Sequence, residues 1–185
     1  MPRLFIALPI ADDVVTELAR YERPGLGDWR WVRPDAMHLT LAFLGEVDEE
    51  VVPSAERALR LSAAGVRALD LSAAGVGAFP DQRRARVLWA GVGGDLRELA
   101  GLHAALTKAL RGEGFEVDER PFHPHVTLAR SRVPRPLPDG LDRARLFGRW
   151  RAAEVRLYES HLGPAGPRYE VRSVAALDSP RRVVE

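Results

Sequence analysis

Apolar residues along this chain alternate between short unbroken runs and stripes at helical spacing. The run RLFIALP, starting at Arg3, is continuous enough to be a buried strand. Over residues 11 to about 21, Val14, Val15, Leu18 and Ala19 recur at the spacing of one helix face. Pro24, Gly25 and Gly27 break that helix. HLTLAFLG is the next strand and stops at Gly45. Asp48 stands where an N-cap would start a helix running to about Ala64, with Pro53 tolerable in its first turn or so. Two extended pieces follow, near residues 68–79 and 85–92.

The order then recurs. RARVLWAGV is an apolar strand, and residues 95–111 form an amphipathic helix with Leu96, Leu99, Leu102, Leu106 and Leu110 on its stripe. A break at RGEG leads to PHVTLAR. The Pro-rich PRPLP precedes a short helical stretch around residues 141–147, and strands over 154–162 and 168–177 close the series. Each half reads strand, helix, strand carrying His-x-Thr, helix, strands. The matched tripeptides are His38-Leu39-Thr40 and His125-Val126-Thr127. The pattern predicts one α+β domain over 1–185, an internal duplication with repeats of roughly 1–83 and 84–185. Its two pseudo-symmetric lobes would each be an antiparallel sheet with outer helices, enclosing a cleft between them. A period this long suggests two lobes and not a solenoid.

Composition narrows the function. Apolar residues are 46% and charged residues 29%, which fits a globular domain and excludes a disordered one. The net charge of +1 gives no global pull toward nucleic acid or membrane. Lys108 is the only lysine, so the positive charge is carried by arginine, which suits bidentate phosphate contacts. There is no cysteine, which removes disulfides, thiolate catalysis and Cys-based zinc. LFIALPIA is too short for a signal segment, and no run approaches the roughly 20 apolar residues of a membrane span. Cytoplasmic location is the expectation. No GxGxxG or P-loop pattern supports a nucleotide fold with a phosphate-binding loop.

Candidate chemistry rests on the two His-x-Thr strands. Residues two apart in a strand share a face, so His38 and Thr40 face one way and Leu39 and Leu41 the other. By the same alternation Ala42 continues the first histidine face, and Ala129 continues the face of His125 and Thr127. Two imidazoles facing each other across a cleft suit paired acid–base work near neutral pH, with two hydroxyls as neutral donors to phosphate oxygens. Such a site needs no metal and no covalent intermediate. His123 and His125 also make an H-x-H, a genuine metal-ligand spacing, but one short of the third and fourth ligands a zinc or iron site takes. His103 reads as a surface or flanking residue of its helix, and His161 as structural. Trp31, Trp89 and Trp150 read mainly as packing residues, with Trp31 a candidate border of a base-binding surface. The arginine runs at 82–86 and 143–151 fit solvated faces or a phosphate-tracking rim.

The segments RLFIALP, WVRPDAMHLTLAFLGEV, RPFHPHVTLAR and LYESHLGPAGPRYEV resemble the two-histidine phosphoesterase superfamily. Within it, the likeness is closer to the RNA 2',3'-cyclic phosphodiesterase, or 2'-5' RNA ligase-like, branch. The resemblance implies metal-independent hydrolysis of a terminal 2',3'-cyclic phosphate on RNA to a 2'-phosphate, with no cofactor. It implies that His38 is the acid protonating the departing 3' oxygen and His125 the base activating water. Thr40 and Thr127 match phosphate-holding hydroxyls, Arg130 a supporting phosphate-binding position, and Phe43 an aromatic position near the base pocket. By strict alternation Arg130 and Phe43 point away from the histidines, so each needs a strand end, a bulge or a long reach to arrive. The expected partners are RNA or oligonucleotide ends bearing the cyclic phosphate, with no membrane, acted on by a monomer. Two alternatives stay open: a 2'-5' RNA ligase or phosphodiesterase acting on 2'-5' linkages, and a non-catalytic RNA-binding module.

Overall fold

In the computed structural model, which describes residues 1–21, 29–137, 142, 144–164 and 166–178, the strands share one sheet. The elements in chain order are β1 (Arg3–Leu8), α1 (Asp12–Ala19), β2 (Arg30–Trp31), β3 (Leu39–Glu46), α2 (Val52–Ala63), β4 (Leu69–Phe79) and β5 (Ala85–Gly94). They continue with α3 (Leu96–Gly112), β6 (His125–Arg135), β7 (Leu146–Ala152), β8 (Glu154–Gly163) and β9 (Gly166–Ala176). The sheet runs β7-β4-β5-β6-β3-β1-β8-β9, with β2 added to β6, and every strand pairing is antiparallel.

This order divides the sheet into two wings. One holds β3, β1, β8 and β9, the other β6, β5, β4 and β7. They meet where β3 lies beside β6, at the single registered pair Leu39 and Val126. Each wing is completed by strands from the other part of the chain: β8 and β9 pair outside β1, and β4 pairs outside β5. The two expected antiparallel sheets are therefore one continuous sheet, thinned to that pair between the strands that carry the histidines.

The main core lies on the helix-covered face. Leu4, Ile6 and Leu8 of β1 pack there with Leu18, Leu59, Val126, Leu128 and the α3 stripe of Leu99, Leu102, Leu106 and Leu110. At about 1.5–3 kcal/mol for each buried leucine, that stripe is what fixes α3 on the sheet. Leu96, expected on the stripe, is exposed at the first turn. The intervening residues Phe5 and Ala7 face the opposite side and form a small cluster with Tyr158 and Tyr169. Hence RLFIALP is apolar without interruption, because both faces of β1 are covered.

Two helix expectations change. Asp48 leads into a 3-10 turn, Glu49–Val51, with no side-chain cap, and α2 begins after it. The short helix expected over 141–147 is replaced where the structure describes it: Leu146 and Phe147 open β7. Phe147, Trp150 and Ala152 are buried, and Phe147 is an extra residue against β4 beside Gly148 (φ +151°). The breakers Pro24, Gly25 and Gly27, and residues 141 and 143 of that stretch, lie outside the described residues. Among the described residues no helix is long and apolar enough to cross a membrane.

Candidate active site

The two motif strands continue alike past the threonine. His38-Leu39-Thr40-Leu41-Ala42-Phe43 stands against His125-Val126-Thr127-Leu128-Ala129-Arg130. In the β1–β3 register Ala7 faces Thr40 and Ile6 faces Ala42, so Leu41 is one residue in excess. In the β5–β6 register Trp89 faces Thr127 and Leu88 faces Ala129, so Leu128 is in excess. Each is a β-bulge, and a bulge shifts the alternation of every later residue by one. Leu41 with Ala42, and Leu128 with Ala129, turn into the main core. The alanines expected on the histidine face are therefore core residues. The residue after each returns to the open face, which is how Phe43 and Arg130 reach the site that strict alternation denied them.

Each histidine is anchored in the same way. His38 Nδ1 lies 2.8 Å from the Ala36 carbonyl oxygen, and His125 Nδ1 lies 2.7 Å from the His123 carbonyl oxygen. A carbonyl only accepts, so Nδ1 of each ring carries the hydrogen and donates it. That leaves Nε2 of both rings available for proton exchange: an acceptor in the neutral ring, a donor in the imidazolium. The carbonyls are set by the local chain, Ala36 ending a 3-10 turn, Pro34–Ala36, and His123 preceding Pro124.

His38, Thr40, Phe43, His125, Thr127 and Arg130 all line one cleft of about 190 Å³ between the wings. All six residues singled out in the sequence are thus brought together. Arg30, Trp31 and Tyr169 join them. Arg30 is the addition with the clearest consequence. The β2–β6 pairing sets it directly opposite Arg130, and neither arginine is ion-paired to a described carboxylate. Two like charges on neighbouring strands, aimed into one cleft, make a natural anion site. Nothing in the spacing WRWVRPDAMH distinguishes Arg30 from Arg33, which instead pairs with Asp35 at 2.8 Å.

The His38 imidazole has its pKa lowered to about 4, chiefly by burial, with the Ala36 carbonyl opposing the shift and Arg130 and His125 adding to it. The His125 pKa is also lowered, first by burial, with the His123 carbonyl opposing the shift and the His123 ring and Arg130 adding to it. The burial comes from aromatic rings. Phe5 lies 4.7 Å from His38, stacked on Tyr158 behind it, with Tyr169 edge-on to His38 at 5.3 Å. On the other wing Phe79 is edge-on to His125 at 5.0 Å, and Trp89 lies 6.3 Å from it. Trp150 is a core residue as expected, but Trp89 is half-buried on the open face beside His125. Phe79 and Trp89 thus wall the His125 side, a placement that a period-2 reading of an apolar strand could not assign to either face.

The remaining histidines have other surroundings. The His123 ring stands edge-on to Phe79 and Trp89, at 5.5 and 5.3 Å. Among the described residues no group of three or more His, Cys, Asp or Glu could hold a metal ion, so H-x-H lacks further ligands there. His103 stacks on Phe122 at 4.0 Å, and His161 faces Glu170 at 3.2 Å. Of the arginine runs, Arg83 and Arg84 border an open groove beside Trp89, whereas Arg145 and Arg151 pair with Glu17 and Asp70 away from the cleft. Arg143 lies outside the described residues.

A sequence model described as the 2'-5' RNA ligase superfamily matches residues 9–164. The RNA 2',3'-cyclic phosphodiesterase of Thermus thermophilus is 36% identical over 181 residues, covering 91% of this chain and 87% of that protein. The protein of the same description from Aeropyrum pernix is 37% identical over 144 residues, covering 75% and 81%. Among solved structures, E. coli LigT complexed with 3'-AMP superposes with a TM-score of 0.75 at 30% identity, over 96% of this chain and 99% of that one. A crystal structure of a Thermus thermophilus protein gives a TM-score of 0.77 at 31% identity, over 96% and 99%.

Proposed function

The chain belongs to the 2'-5' RNA ligase superfamily, and we propose that it hydrolyses the terminal 2',3'-cyclic phosphate of RNA to a 2'-phosphate, leaving a 3'-hydroxyl. The observation that carries this reading is the paired anchoring of His38 and His125. Two imidazoles present Nε2 to one cleft, each held by a carbonyl two residues back.

In the proposed step, neutral His125 takes a proton from water through Nε2 as the water oxygen attacks phosphorus. The P–O3' bond breaks, and His38 delivers its Nε2 proton to O3'. Thr40 and Thr127 donate hydroxyl hydrogens to the nonbridging oxygens, and Arg130 with Arg30 balances the charge spreading over them. Imidazoles, hydroxyls and guanidiniums together supply base, acid and charge stabilisation, so the step is assigned no metal. Burial keeps His38 neutral in the free protein at neutral pH. Its proton is therefore taken up from solvent as the substrate binds, since the phosphate anion offsets the repulsion from Arg130 and favours the imidazolium. Both histidines come from one chain, which supports a monomer as the working unit, and an RNA substrate fits the cytoplasm.

The low pKa of His38 also favours a second reading, in which His38 is the base and His125 the acid. A substrate with sulfur in place of O3' separates the two, because a thiolate leaves without an acid. The variant that lacks the acid regains most of its lost rate on that substrate, and the variant that lacks the base does not. The reaction itself is tested with a nucleoside 2',3'-cyclic phosphate in EDTA, with the product isomer identified by phosphorus NMR. A 2'-phosphate supports the proposal; a 3'-phosphate, or a strict requirement for divalent metal, removes it.

A further inference from the structure

We propose that the open groove beside Trp89 is a second nucleotide-binding subsite, which takes the RNA strand immediately upstream of the terminal cyclic phosphate. The inference rests on the reading of the cleft as a cyclic-phosphate site. The groove is the larger of the two, about 740 Å³ against about 190 Å³ for the histidine cleft, which matches its assignment to the polymer and not to the reacting group.

Three features fit it to a single-stranded polyanion. The first is a stacking surface. Trp89 lies opposite Gly77 in the β4–β5 register, and a Cβ on Gly77 would come within 2.3 Å of the indole. The missing side chain lets the ring lie across β4 and line the groove, where a base can stack on it. Base–aromatic stacking tolerates any sequence, because every base has a π face.

The second is charge. Arg83 and Arg84 are exposed at the β4–β5 turn, line the same groove, and are not ion-paired to a described carboxylate. The one acidic residue on the groove, Asp81, is turned to the backbone: one carboxylate oxygen accepts the N–H of Arg83 at 2.8 Å and of Arg84 at 3.0 Å. It thereby fixes the loop that presents the two guanidiniums. The third is continuity. The Trp89 ring stands 6.3 Å from His125 and 5.3 Å from His123, so the groove begins one ring away from the reacting phosphate.

The test compares a nucleoside 2',3'-cyclic phosphate with a five-nucleotide RNA ending in one, across a salt series. Wild-type protein is expected to hydrolyse both, with a KM at least tenfold lower for the RNA. Replacing Arg83 and Arg84 together by Ala is expected to raise KM for the RNA by about tenfold or more and leave the nucleoside's kinetics unchanged. The logarithmic salt dependence of RNA binding should flatten by about 1.4, from two lost contacts at about 0.7 each. Trp89→Leu should raise the ratio of RNA KM to nucleoside KM, and Trp89→Phe should largely preserve it. Equal KM values for the two substrates in wild type, or an equal effect of the arginine change on both, would overturn the subsite. Hydrolysis of neither substrate would instead remove the reading of the cleft itself.

Discussion

Arg30 and Arg130 sit directly opposite each other on β2 and β6, two cations lining one cleft with no described carboxylate between them. The arrangement costs the empty protein something and is compensated when an anion arrives. Like charges on neighbouring strands repel, whereas a phosphate placed between them joins two charge-assisted contacts. Arg30→Ala is therefore expected to raise the Tm of the free protein slightly while weakening the stabilisation by added inorganic phosphate. Thermal melts with and without phosphate check both signs at once.

Arg130 also acts on both imidazoles, lowering the pKa of each. Arg130→Ala is expected to lower kcat/KM by about 10²–10³, the range seen when one preorganised donor to a developing anion is removed. Arg130→Lys should recover only part of it, because a point charge lacks the planar fork. Full activity in the lysine variant would show that charge alone is used.

The pH dependence follows from the direction of the two histidine shifts. Both pKa values are lowered in the free protein, and kcat/KM reports the free protein's acid and base. The bell is expected to peak on the acid side of about pH 6.5, the ordinary imidazole value, with the kcat profile displaced upward by the bound phosphate anion. A kcat/KM maximum above about pH 7 would mean that the rings are better solvated than their aromatic surroundings indicate.

Stability should carry the same signature. Between the unfolded pKa near 6.5 and the folded value of about 4, the unfolded chain binds a proton at His38 that the folded state refuses. Stability is then constant from this source above about pH 6.5 and falls by up to about 3 kcal/mol as pH drops to about 4. His38→Ala is expected to reduce that slope and leave the share due to His125, whose pKa is lowered too, measured as the urea midpoint from about pH 4 to about pH 7.

The glycine under Trp89 gives a structural prediction. Gly77→Ala would place a methyl carbon within 2.3 Å of the indole, so the ring must move. A loss of about 1–3 kcal/mol is expected, with a shifted tryptophan fluorescence maximum. An unchanged spectrum and midpoint would mean that the ring has room to lift.

Much of this was legible in the residues, and the parts that were not share a cause. His38, Thr40, His125 and Thr127 stand out because their spacing repeats at matched places in the chain. The faces of Ala42, Phe43, Ala129 and Arg130 do not, because a bulge is a property of two strands in register and not of one strand's letters. Leu-Ala follows the threonine in both motifs, yet only the pairings of Ile6 and Ala7 with β3, and of Leu88 and Trp89 with β6, show that the leucine is in excess. Phe5 and Trp89 are hidden for a related reason: in a strand apolar on both faces, nothing marks which residues look at the site. Arg30 depends on β2, a strand of two residues, too short for any periodicity.

The central claim is that His38 and His125 act as one unit across the cleft. It is tested most directly by single-turnover rates for His38→Ala, His125→Ala and the double variant, on an RNA ending in a 2',3'-cyclic phosphate. Each single change is expected to cost at least about 10³ in rate, and the double change to cost little more than either, as residues acting together do. Near-normal turnover in either single variant, or losses that simply multiply in the double one, would contradict it.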